Sequence, residues 1–136
     1  MPLKMLSMRY QPGPGNSYGG INQLQIHRGD IFLVNWSGGR GHEQAGERPV
    51  LVIQNDIGNE FGGTTIVATV TTSKGKPYPF MVNLSRGSGG LDYDSSVDCA
   101  QLVTIDKSRL GKRLGNLTGQ AMSQVDLALK KSLELK

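Results

Sequence analysis

The chain has little cysteine, few aromatic residues and no long apolar run, and each shortage excludes a class of protein. With only one cysteine, Cys99, it cannot form an internal disulfide, and no second cysteine or nearby histidine offers a metal site. No apolar run reaches the roughly 18 residues of a membrane span, and residues 1–10 lack the apolar region of a signal peptide. We therefore expect a cytoplasmic protein with no metal or cofactor, in which Cys99 is a small core residue.

Length and glycine content predict one small domain. A chain of 136 residues and 14.7 kDa has room for one core, since typical domains hold roughly 100 to 150 residues. The 19 glycines and 6 prolines imply many turns, which favours short strands over long helices. Residues 1–27 contain turn residues without a period that could bury a face, so we interpret them as a tail or linker. Residues 28–136 are then the folded domain.

Apolar segments predict five strands, in residues 30–36, 49–54, 64–71, 80–84 and 96–103. The near-continuous apolar run at 50–53 is typical of a central strand buried on both faces. We expect residues 55–63 to form a loop, residues 106–110 a single helical turn, and the chain near Leu114 and Leu117 a short extended piece. Short strands with tight turns and one terminal helix favour a small, strongly bent sheet, closed or nearly closed as a barrel.

The C-terminal segment predicts an amphipathic helix and carries much of the positive charge. Thr118 suits the N-cap, and the residues that recur at the spacing of one buried face are Met122, Val125, Leu129 and Ser132 or Leu133. Asp126 precedes Lys130 by four residues, the spacing of a helical ion pair. Residues 107–136 hold seven Lys or Arg and two Asp or Glu, a net +5 in a chain of +4. Such a cluster can attract a polyanion, receive an acidic protein segment or be a solvated helical face.

Arg48 is a candidate anion-binding residue, because it joins a glycine-rich loop to an apolar strand. Pro49 fixes the chain direction after it, so the guanidinium is held rather than mobile. Its planar fork can hold two phosphate oxygens and stays protonated. The alternative is a structural ion pair with Glu43 or Glu47. The twelve-residue connection 36–47 is about twice the usual loop length, and long ordered loops are often functional.

The third predicted strand ends in hydroxyls, and cations follow it. Thr71 can hydrogen-bond a phosphate oxygen, and Glu43 can act as a base, orient Arg48 or be merely solvated. RNA carries its own nucleophile, the ribose 2′-hydroxyl, so a fixed cation and a hydroxyl suit its cleavage without a metal. His42 is a weaker catalytic candidate. The residues expected to contact RNA are Gln44, Thr72, Ser73, Lys74, Phe80 and Gln101.

Several segments together resemble the MazF/PemK family of toxin endoribonucleases. They are RGDI at 28–31, GHEQAGERP at 41–49, VIQND at 52–56, TTIVA at 64–68 and VDLAL at 125–129. The resemblance implies an SH3-like or CcdB-like barrel with a C-terminal helix, assembled as a homodimer with RNA in a groove spanning the subunits. It places catalysis at Arg48, Thr71 and Glu43. The chain departs from the family in its N-terminal extension and in the glycines of residues 87–90.

The family also implies a reaction and a partner. Members cut single-stranded RNA, mRNA in particular, at selected sequences without metal, leaving a cyclic phosphate and a 5′-hydroxyl, and an antitoxin's acidic C-terminal segment covers the groove. Because a guanidinium is a poor general base, we assign Arg48 chiefly to stabilising the phosphorane. We expect the loops at 36–47, 73–79 and 85–93 to read the bases.

Two rival interpretations concern other activities of the same fold. One is a non-enzymatic CcdB-like toxin that poisons a DNA topoisomerase. Toxins of that kind use a C-terminal aromatic tail, whereas this chain ends in LELK at 133–136. The other is an RNA-binding barrel that has lost cleavage, against which the presence of Glu43, Arg48 and Thr71 argues.

Overall fold

The computed structural model of the chain describes residues 25–36, 46–72 and 78–136. In chain order the elements are β1 Asp30–Asn35, β2 Glu47–Val52, α1 Asp56–Phe61, β3 Thr64–Thr71, β4 Met81–Leu84, β5 Ser95–Asp106, β6 Leu110–Asn116 and α2 Gly119–Leu133, with 3₁₀ turns at Ser88–Gly90 and Lys107–Arg109. The strands form one antiparallel sheet in the order β4-β5-β3-β2-β1-β6. The predicted fold class, mainly β with a C-terminal helix, is confirmed.

The sheet is not closed into the predicted barrel. Strands β4 and β6 are its two edges, and within the described ranges they do not pair with each other. The turn Ser88–Gly90 packs against β6 instead, with the backbone of Gly90 so close that a Cβ there would lie 2.1 Å from the carbonyl oxygen of Leu114. Only glycine fits such an approach, here at a φ of +82°. This backbone contact takes the place of the ladder that closure would require.

Alternate residues of the central strands build two cores on opposite faces of the sheet. The helix-side core consists of Ile31, Leu51, Ala68, Val70, Val82, Leu84, Leu91, Val97, Cys99, Leu117, Val125 and Ala128. The second core consists of Ile26, Phe32, Val34, Val50, Val52, Val67, Ile105 and Leu110. In β2, Val50, Leu51 and Val52 are all 0% exposed, and Leu51 belongs to one core while its two neighbours belong to the other. The prediction of a central strand buried on both faces is confirmed.

Helix α2 begins where the sequence predicts. The side chain of Thr118 accepts a hydrogen bond of 3.1 Å from the backbone N–H of Ala121, and Val125 and Ala128 are buried. Asp126 does not pair with Lys130 as predicted. Instead, its carboxylate accepts a hydrogen bond of 2.8 Å from Nη2 of Arg28, which lies next to the helix in the folded chain. No helix in the described part of the chain is long and apolar enough to cross a membrane.

The prediction of a loop at residues 55–63 is wrong, because a short helix, α1, occupies most of it. Asn55 caps this helix, its side chain accepting a 2.8 Å hydrogen bond from the backbone N–H of Gly58. Asn59 is only 3% exposed, donates to the carbonyl oxygen of Gln54 at 2.9 Å and accepts from the hydroxyl of Thr65 at 2.7 Å. The asparagine cap was a readable signal, whereas the buried amide contacts arise from tertiary packing.

Strand β5 is longer than predicted and is interrupted by a bulge. Its pairing with β3 runs from Thr64 opposite Asp106 to Thr71 opposite Ser96. Between Ala68 and Thr69 the partner shifts from Leu102 to Asp98, which leaves residues 99–101 of β5 without a partner in that ladder. A bulge of this kind bends a strand sharply, so β5 can pair with β3 on both sides of the bulge while the sheet curves.

Candidate active site

The register of the sheet brings Arg48 and Thr71 to neighbouring strands on one face. Val50 of β2 lies opposite Thr69 of β3, and Arg48 precedes Val50 by two residues while Thr71 follows Thr69 by two. Because side chains alternate across a strand, both residues lie on the same face as Val50, the face of the second core. Continuing the same antiparallel register places Arg48 opposite Thr71. The two residues predicted as catalytic therefore lie at the ends of neighbouring strands on one face of the sheet.

Strands β2 and β3 stop pairing just before they reach these two residues. Their ladder covers Val50 to Val52 and ends at the pair Val50 and Thr69, while Arg48 pairs only with Val34 of β1. Pro49 lies at the point where the ladder stops, and it has no N–H to donate. The end of β3 remains paired with β5 on its other side. We call the resulting opening between Arg48 and Thr71 the strand-end notch.

Arg48 meets the chemical demands of an anion-binding residue. It is exposed, and the strand behind it, from Val50 onward, is completely buried. The ion pairs among the described residues join Arg28 to Asp126 and Arg113 to Asp30, so Glu47 does not neutralise Arg48. A guanidinium anchored by a rigid strand and open to solvent can hold a phosphate group bidentately.

Polar side chains continue from Thr71 across the outer strands on the same face. Thr71 lies opposite Ser96 of β5, and Ser96 lies opposite Asn83 of the edge strand β4. Ser96 is 0% exposed, and its hydroxyl donates a 2.7 Å hydrogen bond to Oδ1 of Asn83. This face is therefore apolar beneath the middle of β2 and polar beyond the strand-end notch.

A surface cavity of about 500 Å³ adjoins the end of β3. Its lining residues are Thr72, Arg86, Asp92, Tyr93 and Asp94. Thr72 was predicted to contact RNA, Arg86, Asp92 and Tyr93 were placed only within a predicted base-reading loop, and Asp94 was not predicted. Asp94 shapes that loop by accepting a 2.9 Å hydrogen bond from the backbone N–H of Arg86. The ring of Tyr93 is 65% exposed, so it is available for stacking.

Two of the predicted RNA contacts lie apart from the notch. Phe80 packs against the helix-side core, on the other face of the sheet, and its ring stacks on Tyr78 with centroids 5.2 Å apart. Gln101 is exposed in the bulge of β5. The remaining predicted site residues, Glu43, Gln44, Ser73 and Lys74, lie outside the described residues, as does His42.

The basic C-terminal cluster does not form one patch. Lys107 donates through Nζ to the carbonyl oxygen of Asn59, and Arg113 pairs with the buried Asp30 at 3.0 Å. Burial of the Lys107 ammonium lowers its pKa. Lys130 and Lys131 lie at the end of α2, on the other side of the sheet from Arg48. A charge count along the sequence could not reveal this division, because it depends on which element carries each residue.

Within the described ranges, no three His, Cys, Asp or Glu side chains are grouped so that they could hold a metal ion. The chemical resources of the notch are a permanent cation, a hydroxyl at the end of a strand and an adjoining polar cavity. These groups can bind a phosphodiester and stabilise negative charge on it.

Comparison with known proteins identifies the family and the fold. Residues 27–133 match the family model of the PemK-like, MazF-like toxins of type II toxin-antitoxin systems. The chain is 43% identical over 111 residues to endoribonuclease EndoA of Bacillus subtilis, covering 81% of this chain and 96% of that protein. A chain in the structure of a MazE-MazF complex from Deinococcus radiodurans has 26% sequence identity to this chain and superposes on it with a TM-score of 0.67. The match covers 82% of this chain and 98% of the Deinococcus chain.

A mycobacterial endoribonuclease, solved with its cognate antitoxin, shares the fold. It is 23% identical, covers 82% of this chain and 97% of its own, and has a TM-score of 0.69. The resemblance stated from the sequence motifs is confirmed.

Proposed function

Because the chain belongs to the PemK-like, MazF-like toxins of type II toxin-antitoxin systems, we propose that it is an endoribonuclease acting on single-stranded RNA. The observation that supports the proposal is the placement of Arg48 and Thr71 at the ends of the neighbouring strands β2 and β3, on one face of the sheet. We propose mRNA as the substrate, and an enzyme that cleaves mRNA would act in the cytoplasm. The comparisons do not favour the alternative of a topoisomerase poison.

In the proposed reaction the 2′-hydroxyl of the substrate attacks the adjacent phosphorus. A bond forms from O2′ to phosphorus, the bond from phosphorus to O5′ breaks, and the products are a 2′,3′-cyclic phosphate and a 5′-hydroxyl. Arg48 supplies a positive charge, whose attraction to the phosphorane strengthens as negative charge builds up there. Thr71 donates a hydrogen bond to a phosphate oxygen. The O2′ proton passes to a base other than these two residues, since a guanidinium and a threonine hydroxyl are both too weak, and O5′ takes up a proton from water as it leaves. We assign Glu43 to the same site on the sequence motif alone.

The proposed enzyme needs no metal ion. The nucleophile belongs to the substrate, and the charge of the phosphorane meets a cation that is protonated at every working pH. Selectivity for a sequence comes from pockets beside the notch, such as the cavity lined by Tyr93 and Arg86, which can accept a base splayed from a single strand.

We further propose that the protein forms a homodimer and is inhibited by an antitoxin. A cognate antitoxin accompanies the mycobacterial relative, and MazE accompanies the Deinococcus protein. An acidic segment laid over Arg48 would compete with RNA for the same guanidinium, so inhibition would follow from charge complementarity at the notch.

The decisive experiment is to incubate the purified protein with a long RNA in the presence of EDTA and to map the ends. We expect cuts at a recurring short sequence, with cyclic phosphate and 5′-hydroxyl termini. Loss of cleavage on chelation would reveal a metal-dependent enzyme. Intact RNA together with an inhibited topoisomerase would replace the proposal with the binding toxin.

A further inference from the structure

Trp36, the only tryptophan of the chain, is covered by an arginine from a distant part of the sequence. The guanidinium carbon of Arg109 lies 5.6 Å from the centre of the indole ring. Nη2 of the same arginine donates a 3.1 Å hydrogen bond to the carbonyl oxygen of Asn35. The indole packs against the second core, so the arginine plane lies over an aromatic ring that the protein itself holds in place.

This pair lies beside the strand-end notch. Arg48 is opposite Val34 of β1, and Trp36 follows Val34 by two residues, on the same face of the sheet. A strand rise of about 3.3 Å per residue and a strand spacing of about 4.8 Å put the Cα atoms of Trp36 and Arg48 roughly 8 Å apart. A nucleotide next to the phosphate held by Arg48 therefore comes within reach of the Arg109 side chain.

Arg109 is suited to hold a base at this position. It is exposed, and none of the carboxylates in the described ranges forms an ion pair with it. A guanidinium plane that rests on an indole can stack a base on its outer side, and single-stranded RNA is commonly bound through arginine and aromatic planes. Its charge at the same time favours the flanking phosphates.

We propose that Arg109 and Trp36 form a stacking platform for the nucleotide adjacent to the scissile phosphate. The proposal rests on the proposed function, because it presumes RNA in the strand-end notch. The platform would raise affinity and fix the register of the strand, while Arg48 and Thr71 carry the chemistry. Arg109 is in this sense a positioning residue, and its loss affects binding more than the chemical step.

The emission of the single tryptophan gives a direct test in the full chain. The probe is a 2′-O-methyl oligonucleotide with the mapped cleavage sequence, which lacks the attacking hydroxyl and so cannot be cut. We expect saturable quenching of Trp36 emission as this probe binds, because a base stacks over the arginine and the indole. Polyphosphate, a polyanion without bases, is expected to leave the emission unchanged.

Substitutions separate stacking from charge. Arg109→Ala is expected to weaken binding of the probe about fivefold to a hundredfold and to abolish the quenching, whereas Arg109→Lys recovers only part of the affinity. Lys130→Ala removes the same charge from the opposite side of the sheet and is expected to change affinity less than twofold. Thermal melts of each variant check that the fold is kept. For Arg109→Ala, KM for RNA cleavage should rise by a larger factor than kcat falls.

Two outcomes would overturn the inference and leave the proposed function standing. One is RNA that binds and is cleaved with no change in tryptophan emission. The other is an Arg109→Ala variant that loses no more affinity than Lys130→Ala. A protein that neither binds nor cuts RNA would contradict the proposed function itself.

Discussion

The two faces of one sheet follow different rules in this protein. On the helix-side face, Leu51, Ala68 and Val97 are fully buried, and α2 packs on this face against β4 and β5. On the other face, an apolar centre around Val50 gives way to exposed Arg48 and Thr71 at the strand ends. Both faces come from the same strands, since successive residues point to opposite sides. Each face holds a buried core, and the candidate chemistry lies at the open end of the second face.

This division predicts that activity and stability can be altered separately. A substitution in the helix-side core should change unfolding and leave the rate per folded molecule alone. A substitution at the strand-end notch should do the reverse. Any residue whose replacement changed both to the same degree would break the comparison.

The largest effect is expected from Leu51→Ala. Leu51 is 0% exposed in the helix-side core, so its truncation leaves a cavity and should lower the free energy of unfolding by about 2 to 5 kcal/mol. Urea denaturation followed by circular dichroism measures the change. The cleavage rate per folded molecule should stay within twofold of the parent, and a much larger loss would link the helix-side core to catalysis.

Next in size is the effect of Arg48→Ala. Removing one preorganised donor from a transition state costs about a hundredfold to a thousandfold in rate, so RNA cleavage should fall by that factor. The melting temperature should hardly move, because Arg48 is exposed and has no ion-pair partner among the described residues. Arg48→Lys should recover only part of the rate, since it keeps the charge and loses the fork. Cleavage at the parent rate would remove Arg48 from the site.

The buried thiol of Cys99 should make stability depend on alkaline pH. Burial, and secondly the charge of Asp98, raise the pKa of Cys99 from 9.0 to about 11. Between these values the unfolded thiol loses its proton while the folded one keeps it, so rising pH favours unfolding. The free energy of unfolding should fall by about 2 kcal/mol at most from pH 9 to 11. Cys99→Ala, measured in parallel, should lack this pH-dependent loss of stability. If the free energy of unfolding fell equally steeply with pH in both proteins, the assignment to Cys99 would be contradicted.

A small effect is expected from Asp126→Asn on α2. The ion pair of Asp126 with Arg28 is partly exposed, with side chains 49% and 31% accessible, and such pairs contribute about 0.2 to 1 kcal/mol. Loss should be measurable by denaturation at low salt and should shrink as salt is added. A loss as large as that of Leu51→Ala would show that the helix depends on this contact rather than on its apolar face.

The sequence was most informative where the signal is local. A run of β-branched residues with an alternating pattern predicted β3. A threonine N-cap followed by regularly spaced apolar residues predicted α2. Arg48 could be singled out because Pro49 and a buried run follow it directly. Each of these features is contained within a short window of the chain.

Contacts between distant segments could not be read in this way. The strand-end notch depends on where the β2 and β3 ladder stops, and register is a property of two strands together. The pair of Trp36 and Arg109 joins residues far apart in sequence. The close approach of Gly90 to the backbone of Leu114 likewise joins distant segments, and only the folded arrangement reveals it.

The central claim is that Arg48 and Thr71 act on one phosphate. A double-mutant cycle with Arg48→Ala, Thr71→Ala and the combined variant, measured as single-turnover RNA cleavage, tests it most directly. Residues that stabilise the same transition state should show strong non-additivity, so the combined variant should be little slower than Arg48→Ala alone. If the two losses simply multiplied, the side chains would act independently, and the claim that both act on one phosphate would be contradicted.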